Sequence, residues 1–116
     1  MSSVWRVRLA EQAELDLIGI TLWTVEHFGA SQAQAYAQTL SLAIEALHDG
    51  PEILGVAVRD DLGHGVRTLH VARHSRKGRH FVVFRAASAQ TIEVLRFLHD
   101  SMDLPQHLPA ANDQQH

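Results

Sequence analysis

Arg79-His80-Phe81-Val82-Val83-Phe84-Arg85-Ala86, then the connection Ala87-Ser88-Ala89-Gln90, then Thr91-Ile92-Glu93-Val94-Leu95-Arg96-Phe97-Leu98, is the stretch that decides the fold. Both flanking runs are rich in β-branched, aromatic and long apolar side chains, and a connection this short closes a hairpin. They read as two antiparallel strands. Val66 to Val71 is a third run of the same kind, joined to the Arg79–Ala86 run through Arg73–Gly78, again a hairpin length. Upstream, Pro51 to Gly65 holds Pro51, Gly55 and Gly63-His64-Gly65 and reads as a loop.

The N-terminal half has a different period. Val4 to Leu9 alternates imperfectly, with Arg6 and Arg8 between apolar neighbours, and reads as a short strand. Ala10 to Phe28 is helical in pattern, with Glu11, Glu14 and Asp16 crowding its first turns, where acids suit the positive end of the helix dipole. Gly29 ends it, and Ser31 caps a second helix running to about Asp49 along the stripe Tyr36, Leu40, Ala43, Ile44 and Leu47. Gly50-Pro51 stops that helix. The order is β-α-α-β-β-β: an N-terminal strand, an α-helical hairpin and a three-stranded antiparallel sheet. This is an α+β arrangement with the helices on one sheet face.

The first helix carries more apolar surface than one buried face needs. Ala13, Leu17, Ile20 and Phe28 form the row expected to face the sheet; Leu15, Ile18, Leu22 and Val25 form a second row, with Trp23 added. Either the helix is clasped between the sheet and the second helix, or the second row is an exposed surface for a partner.

Composition narrows the possibilities. A chain of 116 residues, 46% hydrophobic and 20% charged, fits one globular domain. It has no Cys, which removes disulfides, thiolate zinc sites and cysteine nucleophiles and suits a reducing cytoplasm. The start lacks a signal-peptide pattern, and no run reaches the roughly 18 apolar residues of a membrane span. A cytoplasmic protein without membrane contact is expected.

The net charge of −3 is unevenly spread. Up to Leu54 there are two arginines against seven acids, whereas Gly55 to His99 has eight basic residues against three acids. The sharpest feature is Arg73-His74-Ser75-Arg76-Lys77-Gly78-Arg79-His80, a basic hairpin suited to phosphates or acidic side chains. Enzymatic signatures are weak. Gly63-x-Gly65 leads into a strand and not into a phosphate-binding helix, and His70 and His74 sit four apart but run from a strand into a turn. No catalytic set, metal site or cofactor is expected.

Ile92-Glu93-Val94-Leu95-Arg96-Phe97-Leu98-His99-Asp100-Ser101-Met102-Asp103 resembles the closing segment of ParE-type toxins of the RelE/ParE superfamily. In those proteins a strand of the form IEVLRVLH is followed by a short linker, an MD pair and a final helical turn. Ala13-Glu14-Leu15-Asp16-Leu17 with Trp23 and Phe28-Gly29, then Gln34-Ala35-Tyr36 with Leu40, resemble the family's two helices in order. Asp61-Leu62-Gly63-x-Gly65-Val66-Arg67 and Phe81-Val82-Val83-Phe84-Arg85 resemble the next two strands and their approach. The likeness covers about residues 4–108. It implies a single toxin domain over 1–108, with 109–116 as a flexible tail.

The resemblance further implies the toxin of a type II toxin–antitoxin pair. A ParD-like antitoxin would neutralise it in a hetero-oligomer, and its target would be DNA gyrase, so that replication stops. RelE-like relatives instead cleave mRNA in the ribosome with Lys and Arg side chains and, usually, a C-terminal Tyr. Here the only Tyr is Tyr36, in the second helix, and the only Lys is Lys77, in a hairpin. The ParE-like reading is therefore preferred, with the ribonuclease as its alternative. On it, Leu15, Ile18, Leu22, Val25, Arg85 and Arg96 are the antitoxin-binding candidates. Arg73, Arg76, Arg79, Met102 and Asp103 are the target-binding ones, with Met102 also anchoring to the edge of the core.

Overall fold

The deciding runs pair as expected. A computed structural model describes residues 4–102, in the order β1 (Arg6–Leu9), α1 (Glu11–Phe28), α2 (Ala30–Ala46), a 3-10 turn (Leu47–Asp49), β2 (Val56–Val58), β3 (Val66–His70), β4 (His80–Ala87) and β5 (Thr91–His99). β4 runs antiparallel to β5 from Ala87 opposite Thr91 to His80 opposite His99, and β3 is antiparallel to β4 on its other side. Val83 faces Arg96 while Phe84 faces Val94, so Leu95 is an extra, unpaired residue in β5. Such a bulge bends the strand and re-aims the side chains after it.

The sheet is larger than the three strands expected. Its order is β1-β5-β4-β3-β2. β1 lies parallel to β5, with Arg8 opposite Glu93 and Leu9 opposite Val94. The segment read as a loop contains β2, whose Val56 and Val58 pair antiparallel with Leu69 and Arg67 of β3. Three residues are too few to show a period, so β2 exists because β3 offers it an edge. The second helix also starts differently: Gly29 (φ 91°) occupies the N-cap position and no side chain caps it, so Ser31 has no such role.

Both helices pack on one sheet face. Ala13, Leu40, Ala43 and Leu47 meet Leu69, Val82, Phe84, Ile92, Val94 and Phe97 in the main core. On the other face, Leu62 closes a smaller cluster with Val66, Val83 and Leu98. This explains the unbroken run Phe81–Phe84: Val82 and Phe84 enter one cluster and Phe81 and Val83 the other, so alternation disappears where both faces are covered. Among the described residues no helix is long and apolar enough to cross a membrane. Asp103, and the boundary expected at 108/109, lie outside the described residues.

Candidate functional site

α1 spans 18 residues and spends only one side on the core. Ala13 is buried and Leu17 and Ile20 pack against the main cluster. The second row faces outward: Leu15 is 52% exposed, Ile18 57%, Leu22 60% and Val25 41%. The clasped arrangement is thereby overturned. Phe28, expected to face the sheet, is 62% exposed and meets Trp23 edge-on at 5.7 Å between ring centroids, while Trp23 stacks on His27 at 4.0 Å. Leu17, Ile18, Thr21 and Leu22 line a shallow open groove along the same surface. Of the row expected to face the sheet, Ala13, Leu17 and Ile20 do so, and Phe28 at the helix end does not.

The basic hairpin is fastened to α2. Arg76 Nε donates to Thr39 Oγ1 at 2.8 Å and its Nη2 to the Ala35 carbonyl at 3.2 Å. The Tyr36 hydroxyl accepts the Arg79 N–H at 3.0 Å and bonds His80 Nδ1 at 2.7 Å. Gly78 is required by close approach: a Cβ there would sit 2.5 Å from a Val71 methyl and 3.1 Å from the Tyr36 oxygen. Arg79 Nε donates to Asp100 at 3.1 Å. Of the three arginines singled out in the sequence, Arg76 and Arg79 are thus tied into the fold. The side chains of Arg73 and Lys77 make no hydrogen bond or ion pair among the described residues. Arg73 and Arg76 share a cleft of about 280 Å³ with Leu42, Ala46 and Val71. Met102, expected to anchor to the edge of the core, is 43% exposed.

Beside this hairpin the sheet end gathers several titratable groups. His70 Nε2 lies 3.0 Å from Asp100 Oδ2, and His80 and His99 face each other edge-on at 5.2 Å. The hydrogen bond from His70, and then that from Arg79, hold the Asp100 carboxyl below its ordinary value. Burial, and then the neighbouring His99, push the His80 imidazole from 6.5 down to about 4. The folded protein therefore favours neutral His80. That contribution is complete above pH 6.5 and is lost as the pH falls towards 4, whereas the Asp100 contribution is lost only as the pH falls below the ordinary carboxylate value of 3.8. The melting temperature is expected to drop between pH 6.5 and 4, and His80→Gln is expected to flatten that drop. An unchanged slope in the variant would assign the titration to another group.

The sheet arginines part company. Arg96 Nε donates to Asp16 Oδ2 at 2.8 Å and Nη2 to Oδ1 at 3.1 Å, with the two side chains 18% and 13% exposed. It braces α1 against β5 and does not present itself to a partner. Arg85 is exposed on the sheet face opposite the helices, 3.5 Å from Glu93. Arg85 thus lies on the other side of the sheet from α1, while Arg96 is held by Asp16 of that helix. The sequence reading missed Arg6 and Arg8, whose i, i+2 spacing places them on the same face as Arg85.

The profile described as ParE toxin of type II toxin-antitoxin system, parDE, matches residues 7–104. Toxin ParE1 of Mycobacterium tuberculosis is 34% identical over 110 residues, covering 93% of this chain and all of the relative. Toxin ParE1 of Caulobacter vibrioides is 31% identical over 101 residues, covering 87% of this chain and 95% of the relative. Among solved structures, a chain of the chromosomal ParDE TA system from P. aeruginosa shares the fold with a TM-score of 0.64 at 22% identity, covering 84% of this chain and 98% of that one. With the profile and both relatives spanning most of its length, the chain belongs to the ParE toxin family of type II toxin–antitoxin systems.

Proposed function

We propose that this toxin inhibits DNA gyrase in the cytoplasm, so halting replication, and that a ParD-like antitoxin neutralises it by folding an acidic, amphipathic segment over the outer row of α1. The observation that carries the antitoxin half is the exposure of Leu15, Ile18, Leu22 and Val25 along one helix face. A contiguous apolar surface of this kind marks a partner site, and an amphipathic segment that orders on binding covers such a strip with i, i+3, i+4 anchors. Family membership supports gyrase as the target. The hairpin is the surface offered to it: Arg76 and Arg79 set its position on α2 and Asp100, and Arg73 and Lys77 extend from it. Met102 follows β5 at the same end of the sheet and, with Asp103 next to it in the chain, completes the proposed target surface.

The group His80, His99 and Tyr36 favours a second reading, ribosome-dependent mRNA cleavage, because oriented imidazoles can move protons at a phosphodiester. One pair of assays separates the two. Purified toxin is expected to inhibit supercoiling by gyrase, with activity restored by antitoxin, and to leave mRNA intact during coupled translation. Codon-dependent mRNA fragments with unaffected supercoiling would replace the gyrase reading by the ribonuclease.

A further inference from the structure

We propose that the sheet face opposite the helices binds the phosphate backbone of duplex DNA through Arg6, Arg8 and Arg85. The ladder builds the strip. Arg8 of β1 is opposite Glu93 of β5, and Glu93 is opposite Arg85 of β4, so all three side chains leave the same face. Arg6, two residues before Arg8, joins them and is exposed, with no side-chain partner among the described residues. Glu93 is 21% exposed and reaches Arg8 at 3.6 Å through one oxygen and Arg85 at 3.5 Å through the other. One carboxylate cannot occupy two guanidiniums, each with five N–H donors, and contacts of this length hold the arginines in place more than they neutralise them. Arg8 is 63% and Arg85 48% exposed, and the strip keeps two net positive charges on a chain whose overall charge is −3.

The spacing suits a polyanion. Arg6 and Arg8 are about 6.7 Å apart along β1, and Arg8 and Arg85 flank β5 at about 9.6 Å. A duplex offers phosphates every ~3.4 Å along each strand, so three guanidiniums in this triangle can engage separate phosphates. Backbone contact without base readout follows from the surroundings. Phe81, the aromatic ring on this face, packs edge-on against His70 at 4.9 Å and is not presented for stacking. The strip is separate from the α1 row and from the hairpin tip, so it does not depend on the gyrase reading.

Fluorescence anisotropy with the full chain and a labelled 20-base-pair duplex of mixed sequence tests this. Three phosphate contacts predict a slope of about −2.7 in log K against log salt concentration. Arg6→Gln, Arg8→Gln and Arg85→Gln together are expected to remove that slope and weaken binding at 50 mM salt at least tenfold. The corresponding three Arg→Lys changes are expected to retain the slope. Glu93→Gln, which removes the competing carboxylate, is expected to tighten binding several-fold. An unchanged slope in the glutamine variant, or unchanged or weaker binding with Glu93→Gln, would overturn the proposal. So would tighter binding of polyglutamate or of single-stranded RNA than of the duplex.

Discussion

Replacing Asp16 with alanine is expected to destabilise the fold by about 2–4 kcal/mol, somewhat below the range for removing one partner of a fully buried ion pair, because this hydrogen-bonded pair is partly buried. The carboxylate does two things at one place. It accepts two guanidinium hydrogen bonds from Arg96, and its Oδ2 also accepts the backbone N–H of Phe97 at 2.9 Å. The second role follows from topology. β1 stops at Leu9, opposite Val94, and the last bond on that edge runs from the Ala10 N–H to the Val94 carbonyl. Beyond it no strand flanks β5 on that side among the described residues, and the bulge at Leu95 has turned the next residues. Asp16, in the second turn of α1, closes the edge that β1 leaves. Asp16→Asn, which keeps the shape and one acceptor, should cost less, and Asp16→Leu with Arg96→Met should recover only the part owed to the uncompensated Arg96 charge, because the Phe97 N–H still lacks its acceptor. Urea unfolding with an unchanged m-value measures all three. A loss under about 1 kcal/mol for alanine would place the closure of that edge with other groups.

The role of Asp16 shows where sequence reading stops. Its position in the first turns suits the helix dipole, and that is the whole local signal. Its partners lie 80 and 81 residues away, and nothing in the run Val94-Leu95-Arg96-Phe97 announces a bulge, since no glycine marks it. The same limit hides the sheet's outer strands. β1 was legible as a strand, but its parallel pairing with β5 is a contact across the whole chain, and β2 is only three residues long. What local chemistry does specify was legible: a first helix ended by Gly29, a second that gives way after Ala46 to the 3-10 turn stopped by Gly50, two hairpins and a core run at Phe81–Phe84. The basic hairpin was legible as composition, but which arginines are free and which are tethered depends on Thr39, Tyr36 and Asp100, from other elements.

Changing Leu22 and Val25 together to aspartate is expected to abolish neutralisation while the toxin still folds. Both side chains sit outside the core, at 60% and 41% exposure, so the folded toxin loses little packing. The cost to the helix is modest: aspartate is up to about 0.7 kcal/mol poorer than alanine per interior position, and Val25, in the last turn of α1, places a carboxylate near the negative end of the dipole. The cost to the complex is much larger. Central anchors of an interface contribute about 2 kcal/mol or more each, and here each would be replaced by a charge that an apolar partner must desolvate. A loss of about 4 kcal/mol or more corresponds to roughly a thousandfold weaker binding. Cells producing the variant with excess antitoxin should stop growing, whereas cells producing the parent with antitoxin grow. Titration calorimetry should show no saturable binding at concentrations that saturate the parent, and thermal unfolding should confirm a cooperative fold. Undiminished affinity in the folded double variant would move the antitoxin to another surface and leave the outer row of α1 without its proposed partner.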